Sequence, residues 1–349
     1  GIDLDALDAS ARPRSVVTAQ DIAGSGVRVP AFYEGDLFCP SGKTPLYLGQ
    51  PVALLLFDDF DSYDRARVAF RDRSLLRFGA ETGPQRMPNY AKLRFTRVAG
   101  EGGARDIYSP IDEGWISPVL EDGSGRPIWE PDPSMKDAYG EGAKLGAEIR
   151  ASLAAPSPDL LVLDRRFETQ SVDPMFLEPE CGLAWYEPGQ KALEIVLGVQ
   201  SPYEAAEAMA FLLGEAQDAI RPARIDARFA YLGGGFGGRD HTPFPLYVAL
   251  AAVFHPGKPV RLAHDRFQQF QGGIKRHAFQ IRSQIALDKA SGRIVAFAGD
   301  HVLDGGGLAN YSASVAVVGA TAAIGIYDVP KVDVTTVAEH TRGVPAGSM

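Results

Sequence analysis

Cysteine is nearly missing from this sequence: Cys39 and Cys181 are the only two among 349 residues. Two thiols cannot form a disulfide framework or supply a four-cysteine zinc or iron–sulfur site, so they read as buried reduced thiols. Histidine is sparse too, at six residues, and no group of them has metal-ligand spacing. His241, His264 and His277 therefore read as loop or core residues, and no metal is expected directly on side chains. There is no block of Lys and Arg, and the formal net charge is −9. A nucleic-acid partner would need a concentrated basic face, so none is expected. Long hydrophobic runs are also missing. The longest apolar stretch, 313–326, contains Gly and small residues and is too short to span a bilayer, so no membrane span is expected. No signal peptide is visible and the first residue is Gly1, not Met. A cytoplasmic protein whose true start lies upstream is expected, and a periplasmic location stays open on that account.

Glycine and proline are plentiful, at 38 and 25 residues, which demands many turns and argues against an all-helical bundle. With 45% hydrophobic residues the chain can bury a substantial core, and its length suits two or three domains. Residues 15–21 read as a strand running into a helix. Residues 47–51 read as a turn before a strand at 52–57, whose unbroken apolar run suits burial on both faces. Asp61 is placed to cap a helix bearing Tyr63, Ala66, Arg67 and Phe70 at helical spacing. Residues 1–75 thus predict a compact α/β unit. Residues 76–157 are rich in Gly, Pro, Asp and Glu and read as an irregular insertion or connection, with a helix over 135–153. Trp115 and Trp129 are expected to pack this segment down, the alternative being that they cap a pocket. Further on, a buried strand is predicted at 160–164, with more strands at 193–197, 224–231, 259–262, 278–288 and 294–303. Helices are predicted at 203–215 and 245–254. The mixture predicts an α+β fold.

Between the strand at 224–231 and the helix at 245–254 lies GGGFGG, residues 233–238. Glycines permit positive φ and close backbone approach, so N–H groups here can cradle a phosphate or a cofactor oxygen. Gly233, Gly235 and Gly238 formally satisfy G-x-G-x-x-G, which raises a dinucleotide-binding reading. That reading needs an acid about 20 residues further on, at the end of a second strand. The neighbourhood is instead His255, Pro256, Gly257 and Lys258, with Asp265 the first acid, so an NAD(P)-dependent dehydrogenase is the weaker alternative. A purely structural turn is the plain one.

The surroundings of this loop carry a resemblance. In order with it occur TAQDI at 18–22, LGQPVA at 48–53, GKPVRLAHDR at 257–266, GIKRH at 273–277, VLDGGG at 302–307 and YDVP at 327–330. Together they resemble the large, molybdopterin-binding subunit of xanthine dehydrogenase/aldehyde oxidase-type molybdenum hydroxylases, over about residues 1–75 and 158–349. The resemblance implies an α/β-hammerhead-like domain at 1–75, truncated at its start, and the first part of a molybdopterin-binding α+β domain at 158–349. It leaves 76–157 unexplained. It also implies hydroxylation of an aldehyde or N-heterocycle with water as the oxygen source, and a molybdopterin-type molybdenum cofactor contacted by Gly234, Gly235, Phe236 and Gly237. Gln170 resembles the family's glutamine near the molybdenum centre and is carried over as catalytic, although the stretch from it to Leu177 and Glu178 is two residues longer than the family's. An ordinary polar residue at a strand end is the alternative. Asp240 stands where xanthine-type members carry a substrate-contacting glutamate and is carried over as substrate-binding. Its alternative is a helix N-terminal acid favoured by the macrodipole.

The family's arginine-glycine motif would follow Met349, so the remainder of the large subunit is expected on another polypeptide. Two cysteines cannot hold two iron–sulfur clusters. Iron–sulfur clusters and FAD are therefore expected on partner subunits. A non-catalytic relative, serving as a scaffold or cofactor-insertion chaperone, is the alternative from a different functional class.

Overall fold

The computed structural model describes residues 1–30, 33, 37–72, 74–79, 89–100, 102–112, 121–122, 126–127 and 134–349. Trp115 and Trp129 lie outside the described residues. In chain order the strands are β1 (Ser15–Thr18), β2 (Ala53–Leu56), β3 (Ala91–Gly100), β4 (Gly103–Pro110), β5 (Glu121–Asp122), β6 (Arg126–Pro127), β7 (Leu160–Glu168) and β8 (Cys181–Glu187). They continue with β9 (Ala192–Leu197), β10 (Arg224–Phe229), β11 (Val260–Ala263), β12 (Lys275–Arg276), β13 (Ala278–Asp288), β14 (Ile294–Asp304), β15 (Lys331–Glu339) and β16 (Ala346–Gly347). The helices are α1 (Ala19–Ala23), α2 (Phe60–Asp72), α3 (Ser134–Ala154), α4 (Pro202–Gly214), α5 (Phe244–Val253), α6 (Arg266–Gly272) and α7 (Ser312–Thr321). The fold is α+β. It forms two compact units, each built from two separate stretches: 1–86 with 174–274, and 87–173 with 275–349. Among the described residues no helix is long and apolar enough to cross a membrane.

The first unit holds the antiparallel β1–β2 pair and a four-stranded sheet in the order β10-β9-β8-β11. In that sheet β9 and β10 run parallel, while β8 is antiparallel to both β9 and β11. Helix α5 is apolar on every face and is buried along its whole length, as such a helix must be. Its core partners include Leu193, Ile195 and Leu197 of β9 and Met209, Leu212 and Leu213 of α4. A capping box starts α1, the Thr18 N–H donating to the Asp21 carboxylate at 2.8 Å. Helix α2 begins at Phe60, earlier than its sequence suggests. The Asp59 carboxylate accepts the Ser62 N–H at 2.8 Å, so Asp59 and not Asp61 does the capping.

The second unit is built on a six-stranded sheet in the order β4-β3-β15-β14-β13-β7. Residues 91–110, which read as irregular, form the antiparallel β3–β4 hairpin on one side of this sheet. Their polar residues hide the strand pattern because several are neutralised inside the unit. Asp333 of β15 is fully buried, with Arg94 at 3.3 Å and the Thr96 hydroxyl donating to it at 3.1 Å. Arg150 of α3 also donates to Asp333, and pairs with Asp300 at 2.8 Å. Gly142 and Gly146 bring α3 this close: a Cβ at 146 would lie 2.5 Å from the Asp333 carboxylate, and one at 142 would lie 2.9 Å from the Ser109 hydroxyl. The strand at 160–164 is real but is not buried. Strand β7 is an edge that pairs with β13, and Leu161, Leu163 and Phe167 are exposed on it. An apolar run alone does not distinguish a central strand from an edge.

Truncating Asp333 would leave the Arg94 and Arg150 guanidiniums without their shared carboxylate. Asp333→Ala is expected to lower the unfolding free energy by about 3 kcal/mol in urea titrations, and a loss under about 1 kcal/mol would show that the cluster is not a buried ionic anchor.

Candidate functional site

The sheet topology of the first unit gathers several chain segments at one end. The parallel strands β9 and β10 stop side by side, with Leu197 opposite Phe229. Strand β8 starts there, because Gly182 pairs with Leu197, and β11 finishes there, because Ala263 pairs with Cys181. Four connections therefore converge: 174–180 before β8, 198–201 after β9, 230–240 after β10, and 264–266 after β11. The carboxyl ends of parallel strands are a usual place for a ligand site in sheets of this kind.

Residues 235–238 form a tight turn in which the Gly238 N–H donates to the Gly235 carbonyl at 2.8 Å. Both central residues are left-handed, with φ of 50° at Phe236 and 85° at Gly237. Such a turn favours Gly or Asn, so a Phe there is strained, and its ring is exposed. Gly234 is also left-handed, at φ 100°. The other glycines serve packing. A Cβ at Gly233 would meet the Glu178 Cβ at 2.6 Å, one at Gly235 the Gln200 Oε1 at 2.4 Å, and one at Gly238 the Pro174 ring at 2.4 Å. The spacing that mimics a dinucleotide fingerprint is thus explained by contacts inside the protein. Among the described residues the N–H groups of Gly234, Gly235 and Phe236 meet no protein acceptor. Left-handed residues on either side of Gly235 suit a concavity of successive N–H donors that receives an anionic oxygen.

The turn is held from beneath. The Glu178 carboxylate accepts the Gly233 N–H at 2.8 Å and pairs with Arg239 at 3.0 Å. The Arg239 side chain is 0% exposed and stacks on the Phe176 ring at 4.6 Å. Its guanidinium also donates to the Glu178 carbonyl. At the other side of the turn, Gln200 Oε1 accepts the Gly237 N–H at 2.9 Å and the Arg239 N–H at 3.2 Å. Arg266 donates to the carbonyls of Phe176 and Leu177 at 2.8 and 3.0 Å, fixing the segment that carries Glu178.

Asp240 follows directly and accepts a hydrogen bond from the Ser201 hydroxyl. The His241 Nε2 lies 3.5 Å from Asp240 and 3.7 Å from Glu204. Burial pushes the His241 pKa down, while Asp240 and Glu204 pull it up. One ligand-type atom from each of Glu204, Asp240 and His241 lies within 4.8 Å of the others. Ser201, Glu204, Arg239 and His241 also line a small pocket with Tyr33 and Thr242.

Gln170 belongs to the second unit. It is exposed and follows Thr169, which is tied to Phe279 by two hydrogen bonds of 2.9 and 3.0 Å. The resembling motifs of this unit collect at that same end of its sheet. His277 precedes β13, the glycines at 305–307 follow β14, and 340–347 follow β15. The Asp304 carboxylate accepts the Gly306 N–H at 2.8 Å and the Thr341 hydroxyl at 2.6 Å. His277 Nε2 lies 2.8 Å from the buried Ser312 hydroxyl. The glycine turn and Asp240 are thus brought together in one unit, and the glutamine that touches the turn is Gln200. Gln200 and Arg239 carry no motif of their own in the sequence. The available signal was their position: each follows a strand of the parallel pair β9–β10.

The pattern of the molybdopterin cofactor-binding domain matches residues 150–349, more than half of the chain. The chain belongs to that family. Among curated relatives, the nicotinate dehydrogenase large molybdopterin subunit of Eubacterium barkeri is 26% identical over 189 residues, covering 54% of this chain and 42% of that protein. The fold is shared with the aldehyde oxidoreductase of Desulfovibrio gigas, at a TM-score of 0.64 and 16% identity, over 99% of this chain and 34% of that one. Quinoline 2-oxidoreductase of Pseudomonas putida 86 gives 0.63 and 19%, over 99% and 39%. This chain thus spans less than half the length of these proteins. The family resemblance drawn from the ordered motifs is borne out: this molybdopterin cofactor-binding chain is related to molybdenum hydroxylases of the xanthine dehydrogenase/aldehyde oxidase type.

Two outcomes follow for this molybdopterin-binding chain. Gly238→Ala drives a methyl group into a rigid proline ring and is expected to destabilise the protein by roughly 1–3 kcal/mol in thermal or urea melts, whereas an unchanged melt would refute tight seating of the turn. Burial pushes the His277 pKa down to about 4 from its ordinary 6.5, against the weaker opposing pull of the Gly347 backbone and Asp304. The unfolded state therefore binds the extra proton between these values. The contribution of His277 is present above pH 6.5 and is lost as pH falls toward 4. Urea midpoints should drop from pH 7.5 to pH 5, and drop less in His277→Gln.

Proposed function

We propose that this chain forms part of the large subunit of a molybdenum hydroxylase that acts on an aldehyde or an N-heterocycle, with water as the oxygen source. The observation that carries this reading is the glycine-phenylalanine turn. It presents three adjacent N–H donors without an acceptor among the described residues, at the end of a parallel strand pair, in a molybdopterin cofactor-binding domain. The donor set suits the group. Backbone N–H donors contact oxygen and sulfur acceptors without displacing ligands from a metal. When bound, the molybdenum–pterin group supplies Lewis-acid and electron-accepting chemistry.

In this reading the residues of the chain bind and orient. Gly234, Gly235, Phe236 and Gly237 contact the cofactor, and the exposed Phe236 ring helps to keep water from the reacting centre. Asp240 contacts substrate, with its carboxylate oriented by Ser201. Two glutamines compete for the catalytic amide role. Gln170 is exposed beyond the end of β7, and Gln200 touches the turn through its carbonyl oxygen. Residues 1–75 supply the hammerhead-like part of the first unit. An iron–sulfur subunit and a flavin subunit are the partners, in the cytoplasm.

Elemental analysis and pterin fluorescence on the protein, purified with every co-eluting chain, test the reading. Molybdenum near one per complex is expected, and its absence from an active, intact complex would overturn it. In that complex Gln170→Ala, which leaves the contacts of the turn intact, is expected to lower kcat about 100-fold, and a near-wild-type kcat would assign the amide role to Gln200 instead.

A further inference from the structure

We propose that Arg239 and Glu178 act as a positioning pair that sets the conformation of the glycine-phenylalanine turn for its bound group. The inference rests on the proposed cofactor role of the turn. The Arg239 side chain is wholly buried whereas that of Glu178 is 41% exposed, so the guanidinium loses its hydration for a half-solvated partner, a poor return as a mere packing device. Its connections show what else it does. Glu178 Oε2 is shared between the Arg239 guanidinium and the Gly233 N–H, at 3.0 and 2.8 Å. Gln200 Oε1 is shared between the Arg239 N–H and the Gly237 N–H, at 3.2 and 2.9 Å. Both acceptors that hold the turn are thus also bonded to Arg239, one through its side chain and one through its backbone.

Between those two attachment points lies the strained part. Phe236 has φ 50°, and Gly234 and Gly237 are left-handed on either side of it. A non-glycine residue keeps such a conformation when its surroundings impose it. Arg239 fits this task better than lysine would. Its planar fork reaches the Glu178 carboxylate and the Glu178 main-chain carbonyl together, while one face rests on Phe176. Substitutions at the pair therefore act on the turn, and through it on the N–H groups of Gly234, Gly235 and Phe236. Arg239 and Glu178 touch no reacting atom in this scheme.

The test uses the complex as purified, in wild type and in Arg239→Met, Arg239→Lys and Glu178→Gln forms. It reads hydrogen exchange across 232–240, molybdenum and released pterin per complex, and the electron paramagnetic resonance signal of the reduced metal. Arg239→Met is expected to fold, to lose exchange protection at Gly233, and to lower molybdenum occupancy by roughly 10–100-fold, the range found for residues that support metal ligands. Arg239→Lys should restore part of both losses. A shifted paramagnetic signal in the residual loaded fraction is also expected, which a change in folding alone would not give. Should Arg239→Met fail to fold, Glu178→Gln, which keeps the shape and an acceptor oxygen, is read in its place. Wild-type protection and wild-type occupancy in a folded variant would overturn the pairing role. A wild-type complex without molybdenum would overturn the cofactor reading instead, and the exchange data would still decide whether the pair sets the turn.

Discussion

Parallel pairing of β9 with β10 is the constraint on which the glycine turn depends. It stops two strands at one level, so that Gln200 and residues 233–239 leave the sheet side by side. The antiparallel neighbours complete the arrangement, since β8 begins and β11 ends at the same level. Glu178, Gln200, the turn and Arg266 therefore meet without any of them being close in sequence. The wholly buried α5 packs with this sheet and gives the strand ends a fixed base.

The second unit uses the same device with different pieces. Strand ends of its six-stranded sheet collect Gln170, His277, the glycines at 305–307 and residues 340–347. Its helix α3 is tied to the sheet by an ionic cluster at Asp333, where glycines at 142 and 146 let the helix approach a buried carboxylate. A Cβ at Gly306 would lie 2.2 Å from the Val344 carbonyl, so that turn too is defined by a close backbone approach.

Much of the architecture was legible in the sequence because apolar periodicity and turn residues report directly on local structure. The strand and helix at the start, the buried helix at 244–253 and the long strands after 278 are of this kind. The β3–β4 hairpin was not legible. Arg94 and Thr96 look solvent-facing until Asp333, distant in sequence, is seen to neutralise them. Strand β7 was legible as a strand but not as an edge, since neighbours decide that. The same distinction runs through the candidate site. The glycine turn was visible as a run of one residue type. Arg239 was hidden, because a charged residue following a glycine loop reads as solvated until its partner, Glu178, and its platform, Phe176, are known. Gln200 lacked any local mark, and only strand order puts it against the turn.

Each unit is assembled from stretches that lie far apart along the chain, and this has a consequence for biosynthesis. Residues 1–86 share a unit with 174–274. At ordinary ribosomal rates the later stretch emerges roughly 10–40 s after the earlier one. During that interval β1 and β2 have each other but not the helix and sheet that complete their core. Nascent chains of this protein must therefore shelter an unfinished apolar surface, and the first unit can close once residue 274 has left the ribosome.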